Sequence, residues 1–469
     1  MTPVSLGIDL GTSAVKAVRV DEDGRTVASA RRGYEVRSPH PGWAQTPVSD
    51  WLDAAVAAVA DACGQATSAE VVAVGIDGQM HGLVAVDAEG VAVRDAMLWP
   101  DARAGEQLRH WRGLPDDVHA RLANPLAPGM SGPMLRWLRD AEPEAYARTR
   151  RVLSPKDWLR DQLVPAGGTD PTDASATLLW DVVADAWSDA VVRGVGLDPA
   201  LLPPPREPDT VAGVLDRTAA ARWGLPDGVP VAVGCSDVAA TLLGLDAGPA
   251  ELVLVVGTGA QAISPVARVA PDPAPRWHAY RAVDGWYAMA AVQNAGLALD
   301  WAVRALGATW DELYAAIPAD PHDVRDGPLF VPYLGGEREP PTAAGTGAWR
   351  DLGLHTTRAD LLRAVAEGVT FGIRRAVEML DQGSDPVAVV GGGVRRAEFR
   401  QLLADVLARP VRRVDVDDAT AAGAALLGWR AGHGRAVPAR APRGEPLPPG
   451  PTSDACQERY AAYLQAVTV

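Results

Sequence analysis

The sequence contains very little lysine, and this shortage limits how the protein could handle anions. Its 44 basic residues include only two lysines, Lys16 and Lys156, and 59 acidic residues leave a formal net charge of −15. A field of this sign repels nucleic acid and anionic membrane surfaces, so we expect neither as a partner. Any phosphate chemistry must therefore depend on backbone amides, a metal ion and a few placed cations.

Cysteine and long apolar runs are also scarce. Cys63, Cys235 and Cys456 are odd in number, far apart and without metal-ligand spacing, which indicates reduced thiols. No apolar run reaches the roughly 18 residues needed to cross a bilayer. The N-terminus lacks the basic and apolar regions of a signal peptide. Together these absences predict a cytoplasmic protein.

The sequence has instead the length and composition of two globular domains. It has 469 residues, of which 48% are hydrophobic and 22% charged. A strand, a glycine turn and a second strand are predicted three times, and this weak internal similarity suggests a duplicated α/β domain. These units begin at residues 4–10, 71–76 and 251–256, and the second is expected to be interrupted at residues 77–78.

The last third alternates helices and strands, which predicts a largely parallel sheet covered by helices. Helices are expected at 360–380 and 419–429, with strands at 387–390 and 411–416. The segment 437–451 is proline-rich and is predicted to be a linker to a last helix at 455–467. Near the N-terminus, Asp50 is expected to cap a helix whose apolar face starts at Trp51.

The first predicted glycine turn, Gly11-Thr12-Ser13, directly follows the acidic residue Asp9 at a strand end. Turn amides can cradle phosphate oxygens, Thr12 and Ser13 add hydroxyl donors, and the carboxylate can hold Mg²⁺, usually through water. By itself this pattern is equally a hairpin with a polar turn. Residues 257–259 (Gly-Thr-Gly) repeat it, however, and two such turns facing each other would clamp a polyphosphate.

Two further small-residue segments could approach a ligand. Residues 391–393 are three glycines between a buried strand and a helix, where a ligand could contact the backbone; the alternative is a tight strand-to-helix connection. Residues 421–425 form a small-residue helix face, for which close helix packing is favoured over contact with a flat ring. The sequence has neither a P-loop nor a Rossmann glycine motif.

Candidate catalytic and sugar-binding side chains lie in the first half. Asp237 follows a predicted strand, where it could act as a general base or cap the next helix. Gln79, Met80 and His81 share a loop that suits a polyhydroxylated ligand better than a metal, although a lone loop histidine is more often structural. Trp99 and Arg103 add an aromatic face and a fork donor, which are frequent around sugars.

The ensemble of motifs resembles the FGGY family of carbohydrate kinases. The glycines and acidic residues above occur in the family's order, and the GQMHG motif is typical of its xylulokinase branch. The resemblance implies an α/β fold of two ribonuclease-H-like domains of the actin and hexokinase superfamily, with ATP in the interdomain cleft. The matching segments are 7–16 (GIDLGTSAVK), 78–82 (GQMHG), 98–103 (LWPDAR), 155–159 (PKDWL), 170–174, 234–239, 257–258, 332–338 (PYLGGER) and 391–396 (GGGVRR).

The resemblance also implies domain limits and an activity. Residues 1–246 would form the sugar-binding domain, 247–432 the ATP-binding domain, and 433–469 the linker and terminal helix. The implied reaction is ATP-dependent phosphorylation of a ketopentose, with D-xylulose at its 5-hydroxyl as the expected acceptor. A kinase for another ketose or polyol, or a non-catalytic sugar-sensing actin-like ATPase, stays open, as does a homodimer.

Residue roles follow from the same resemblance. Asp237 would take the proton from the sugar, and Asp9 would orient hydrated Mg²⁺. The ketose would contact Met80 and His81, with Gln79, Trp99 and Arg103 lining its pocket. Phosphates and adenosine would lie against Gly11, Thr12, Ser13, Lys16, Gly257, Thr258, Gly392 and Gly393.

The chain departs from the family pattern at four places, of which the first three put the exact substrate in question. Gly259 stands where a serine is usual, and Met134 where a lysine is expected. Pro100 and Ala102 replace an asparagine and a glycine, and Cys235-Ser236 shortens the glycine run before Asp237. None of them removes Asp9 or Asp237.

Overall fold

The first half of the chain is built on a mixed sheet that carries the N-terminal strands at its centre. The computed structural model describes residues 2–65, 69–165, 168–320, 327–337, 342–380, 383–416 and 418–467. Among these residues, seven strands form the first sheet, whose central members are buried on both faces. In spatial order they are Val211–Val214, Pro230–Ala232, Ala69–Gly78, Thr2–Leu10, Ala14–Asp21 and Thr26–Gly33, with Cys235–Ser236 beside Ala69–Gly78.

The second half repeats this topology in a six-stranded sheet of the described chain. In each sheet a central strand has an antiparallel hairpin partner on one side and a parallel strand on the other. This repetition agrees with the expected duplication. The second sheet is mixed, however, so the expectation of a largely parallel sheet holds only for Val253–Val256, Val387–Val390 and Val411–Arg413. Its antiparallel strands are Ala260–Val266, Trp286–Val292 and His278–Arg281.

Helices cover both sheets, and short two-stranded pairs lie outside the two main sheets. The helices are Val48–Gln65, Leu108–Arg112, Asp116–Ala120, Ser131–Ala141, Pro143–Arg148, Pro155–Asp161, Pro171–Ala174, Asp189–Gly194, Arg217–Trp223, Asp237–Gly244, Gly296–Ala305, Trp310–Ala315, Arg358–Leu380, Ala397–Leu407, Ala419–His433 and Ser453–Ala466, with 3₁₀ turns at Pro199–Leu201 and Gly392–Val394. The paired short strands are Gln45–Thr46 with Ala96–Met97, Val84–Val86 with Arg151–Leu153, Trp180–Asp181 with Ala186–Trp187, Leu329–Val331 with Ala348–Arg350, and Gly335–Glu337 with Thr342–Ala344.

The helix Ala419–His433 belongs to the second half of the chain but packs on the first sheet. Small residues on both sides allow this close approach. A Cβ added at the strand residues Gly7 or Gly75 would lie 2.1 or 1.8 Å from a carbonyl oxygen of the helix. Gly423 meets the helix Asp237–Gly244 in the same way. The expectation that residues 421–425 serve helix packing is therefore confirmed.

Several predicted boundaries need correction. The strand Ala69–Gly78 continues through residues 77–78 rather than breaking before them, because both stay paired with Thr2–Leu10. Asp50 does not cap its helix, since the helix starts earlier, at Val48, and Asp50 lies in the first turn.

The proline-rich segment 437–451 is held against the second sheet. Leu447 and Arg443 form isolated bridges to Val411 and Val414, and the Arg443 guanidinium also pairs with Glu251. The helix Ser453–Ala466 follows the segment, as the sequence predicts. Among the described helices, none combines the length and the apolar character needed to cross a lipid bilayer.

Candidate active site

Two carboxyl groups stand side by side at the centre of the first sheet. Asp9 and Asp77 are register partners on adjacent parallel strands, so their side chains project from the same face. Both are buried, at 5% and 0% exposure. Burial raises the pKa of Asp9 above its usual range. Burial also raises the pKa of Asp77, and the nearby charges of Asp9 and Asp237 raise it further.

The first glycine hairpin, residues 11–13, extends from Asp9 and is braced from two sides. The Tyr34 hydroxyl donates to the Gly11 carbonyl, and the Trp99 indole N–H donates to the Thr12 hydroxyl at 2.9 Å. Ser13 is exposed. A Cβ added at Gly11 would lie 3.8 Å from Asp9 Oδ1, so the carboxyl group overlies the turn. The hairpin therefore combines a fixed carboxylate with accessible hydroxyls.

The second glycine hairpin, residues 257–259, occupies the equivalent position in the second sheet. Gly257 and Thr258 are exposed, and their carbonyls accept hydrogen bonds from the first residues of the helix Gly296–Ala305. Replacing the hydrogen of Gly296 by Cβ would put that atom 2.4 Å from the Gly257 oxygen. The turn thus rests directly on a helix N-terminus, where anions are favoured.

The glycine segment 391–393 lies beside the second hairpin. Gly391 has φ +106°, and a Cβ on Gly391 or Gly393 would fall within 2.5 Å of Val256, the residue before Gly257. Gly392 faces open space instead. Of the two glycines expected to approach adenosine, Gly392 is therefore accessible, whereas Gly393 is needed for packing.

Asp237 is a half-buried carboxyl in the first turn of the helix Asp237–Gly244. The cap position is taken by Ser236, and Asp237 Oδ1 accepts from the Val238 N–H at 2.8 Å. Burial raises the pKa of Asp237 to about 7, with a further contribution from the charge of Asp9. This value is suited to a general base near neutral pH.

The Met80–His81 loop meets the second half of the molecule. The Tyr287 hydroxyl donates to Met80 Sδ at 3.4 Å and lies close to Asp237. Burial raises the pKa of this phenol, and the charge of Asp237 adds to the increase. The His81 ring contacts Tyr280, with ring centroids 5.6 Å apart. The loop is therefore brought next to the candidate base.

His81 has a conformation that needs support from its surroundings. Its φ is +68°, a left-handed value uncommon for a residue with a side chain. Its Nδ1 lies 2.7 Å from the Ala176 carbonyl, which can only accept, so that nitrogen carries the proton. The Ser131 hydroxyl donates to the His81 carbonyl at 2.9 Å.

Both lysines lie near this site. Lys16 Nζ is 2.6 Å from Asp418 and 3.8 Å from Asp9. Lys156 is fully buried and pairs with Asp157, Asp170 and Asp173 at 2.6, 2.8 and 3.3 Å. Burial alone would lower the pKa of Lys156, but these three carboxylates raise it, so the ammonium is retained.

The remaining residues expected around the sugar differ in their placement. Gln79 is buried and donates to the Tyr34 hydroxyl at 3.3 Å, and Trp99 is 38% exposed at the first hairpin. Arg103 is held by Asp101 at 2.7 Å and stacks 3.6 Å from the Trp43 ring. Its contacts are those of a packed side chain, and its sugar-binding role stays a prediction. Residue 338 of the segment 332–338 lies outside the described residues.

This arrangement agrees with family comparisons. The model of the FGGY family of carbohydrate kinases, N-terminal domain, matches residues 4–244, and that of the C-terminal domain matches residues 252–432. The chain belongs to the FGGY family of carbohydrate kinases. As a member it is an enzyme that transfers phosphate from ATP to a carbohydrate, with the actin- and hexokinase-like fold of FGGY kinases.

Relatives of this FGGY kinase span nearly its whole length. A xylulose kinase from Escherichia coli (strain K12) is 31% identical over 470 residues, covering 98% of this chain and 96% of the relative. One from Streptomyces coelicolor is 34% identical over 482 residues, covering 99% and 95%. The structure of xylulose kinase from Rhodospirillum rubrum superposes with a TM-score of 0.90 at 26% identity, covering 99% and 98%.

Reasoning from the sequence missed two residues of this FGGY kinase site. Asp77 was placed in a turn, although Gly75-Ile76-Asp77 repeats Gly7-Ile8-Asp9 and pairs with it residue for residue. That repeat was the available signal. Tyr287 carries no local motif, because only the packing of the two halves brings it to Met80.

Proposed function

We propose that this FGGY kinase phosphorylates D-xylulose at its 5-hydroxyl with ATP and Mg²⁺. The observation that carries the proposal is that Asp237, a half-buried carboxyl with a pKa of about 7, lies near Tyr287, whose hydroxyl donates to Met80 of the Met80–His81 loop. A base and a loop suited to hydroxyl groups thus share one site. The xylulose kinases similar over nearly the full chain support this choice of sugar.

In the proposed reaction Asp237 accepts the proton of the sugar 5-hydroxyl. The 5-oxygen bonds to the γ-phosphorus of ATP as the bond from that phosphorus to the β–γ bridging oxygen breaks, giving xylulose 5-phosphate and ADP. Such transfer depends on positioning and on charge stabilisation. We assign the triphosphate to Gly11, Thr12, Ser13, Gly257 and Thr258, with Lys16 nearby and Gly392 along the adenosine.

The donor set near the first hairpin fits Mg²⁺. Asp9 supplies the hard carboxylate oxygen that Mg²⁺ prefers, and a site with one or two carboxylates, phosphates and water is usual for this ion. Bound there, Mg²⁺ would neutralise charge that develops on the transferring phosphate.

A substrate screen tests the proposal. ADP release would be measured by a coupled assay with D-xylulose, other pentuloses, hexuloses, glycerol and other polyols. We expect the highest kcat/KM for D-xylulose, activity with 1-deoxy-D-xylulose and none with 5-deoxy-D-xylulose. D-xylulose giving no more ADP than buffer would refute the sugar assignment, and a better polyol would identify another acceptor. The cytoplasmic location and a homodimer remain predictions from the sequence.

A further inference from the structure

Asp77 is a buried carboxyl group that the proposed reaction does not yet use. It occupies the same position on its strand as Asp9 does on the neighbouring strand, because Gly75-Ile76-Asp77 pairs with Gly7-Ile8-Asp9. Side chains alternate along a strand, so Asp77 and Asp9 share the face on which Gly7 and Gly75 receive the helix Ala419–His433. Both carboxyls therefore project beside the N-terminal end of that helix.

No N–H or hydroxyl group of the described residues donates to either oxygen of Asp77, which is fully buried, and the side chain that hydrogen-bonds with it is the carboxyl of Asp9. A buried carboxyl without such a donor is costly, and such groups in native proteins call for a specific explanation. The ammonium of Lys16 lies 3.8 Å from Asp9 and 2.6 Å from Asp418. The two adjacent carboxyls at Asp9 and Asp77 therefore share this ammonium with a third carboxylate, which it approaches more closely.

We infer that Asp77 is a second carboxylate for the catalytic Mg²⁺, binding it together with Asp9 directly or through water. This inference rests on the proposed function and adds one further residue to the magnesium site. A divalent cation would supply further positive charge to the two carboxyls. Two carboxylates with phosphate and water oxygens form a usual Mg²⁺ environment.

A purely structural role predicts the opposite energetics. If Asp77 stabilised the fold, removing its charge would weaken the protein. Without an N–H or hydroxyl donor, however, the ionised carboxyl costs stability that a bound cation would return, as is common for functional residues. Asp77→Asn preserves the shape, so it separates these roles: stability should rise without metal while metal affinity falls.

The test measures Mn²⁺ binding by electron paramagnetic resonance, in the presence of ADP and without sugar. We expect Asp77→Asn to weaken Mn²⁺ binding by about tenfold or more, in the range seen for residues around metal sites. The melting temperature of the metal-free variant should exceed that of the unmodified protein. Asp405→Asn is the control, because Asp405 is a buried carboxyl that accepts from the Gly450 N–H and the Thr452 hydroxyl. It should lower the melting temperature and leave Mn²⁺ affinity unchanged.

The outcomes are distinct from those of the substrate screen. Mn²⁺ affinity of Asp77→Asn within twofold of the unmodified protein would overturn the inference, and Asp77→Ser would be measured in the same way should the first variant fail to fold. A second readout is the rate at rising Mg²⁺, which should recover in Asp77→Asn but not in Asp237→Asn. Failure of the unmodified protein to phosphorylate D-xylulose would refute the sugar assignment without affecting the binding result.

Discussion

At the scale of single residues, Asp237 makes the activity dependent on pH. The pKa of its carboxyl is raised to about 7 by burial and then by Asp9, and a base must be ionised to accept a proton. We expect kcat/KM for D-xylulose to rise about tenfold per pH unit below pH 7 and to level off above it. The measurement is a pH profile of kcat/KM in the coupled assay. A flat profile between pH 5.5 and 8 would exclude Asp237 as the titrating base.

The same pKa predicts how Asp237 affects stability. Its folded pKa of about 7 lies above the usual 3.8, so the folded state binds the proton more tightly. The free energy of unfolding should therefore contain a contribution that is present below about pH 4 and lost as the pH rises through 7. Asp237→Asn should consequently melt higher than the unmodified protein at pH 8 and match it more closely at pH 4.

The sequence predicts a site residue where a local motif contains it. It does not predict a residue that only tertiary packing brings to the site. Asp9 and Asp237 each stand at a strand end, and the structure brings them close enough for the charge of Asp9 to raise the pKa of Asp237. The sequence predicts Arg103 as a fork donor for the sugar, but it does not show that the guanidinium pairs with Asp101 and stacks on Trp43. The sequence does not predict a role for Tyr287, because its partner Met80 is more than 200 residues away along the chain.

At the scale of elements, the small residues of the helix Ala419–His433 set how closely it packs. A Cβ at Gly423 would lie 1.9 Å from the Ala240 carbonyl oxygen, which is backbone and cannot move aside cheaply. Gly423→Ala should therefore destabilise the protein by about 3 kcal/mol or more, at the upper end for overpacked sites. Thermal and urea unfolding would measure this.

Gly64→Ala is the matched control for that substitution. Gly64 also lies in a helix, Val48–Gln65, but an added Cβ would meet nothing within 4 Å. Alanine there should stabilise by about 0.5 kcal/mol through its higher helix propensity. Equal effects of the two substitutions would show that close packing at Gly423 is unimportant.

Elements were foreseen where the pattern is local, and their partners were not. The helix Arg358–Leu380 and the strand Val387–Val390 fall almost where the apolar spacing predicts. The mixed order of the second sheet escaped prediction, because strand direction depends on pairing between distant segments. For the same reason the sequence favoured helix packing for residues 421–425 without identifying the first sheet as their main contact.

At the scale of the whole molecule, hydrogen bonds add to the apolar contacts by which the two halves meet, such as that of Trp180 with Trp286 in one cluster. Asn124, from the first half, donates to the Ala279 carbonyl at 2.9 Å and accepts from the Ala279 N–H at 3.1 Å. The Arg281 N–H donates to the Ser175 hydroxyl at 2.9 Å. These bonds join the strand His278–Arg281 to the segments around the Met80–His81 loop, so they hold the two halves together there.

Asn124→Ala should therefore shift the molecule toward an open form. Losing two hydrogen bonds of about 1 kcal/mol each changes the ratio of closed to open forms by roughly thirtyfold. Where closure is needed for sugar binding, the apparent affinity falls with the closed fraction. We expect a raised KM for D-xylulose and, by small-angle X-ray scattering, a larger radius of gyration without sugar that contracts when sugar is added.

Gln457→Ala controls for the loss of a hydrogen-bonded, half-buried amide that does not join the halves. Gln457 donates to the Asp405 carbonyl at 2.9 Å, within the second half. Its replacement should lower stability while leaving the KM and the radius of gyration unchanged. If Asn124→Ala keeps both values, these hydrogen bonds do not control closure. Contraction in Asn124→Ala on adding D-xylulose, but not glycerol, would tie closure to the sugar that the Met80–His81 loop selects.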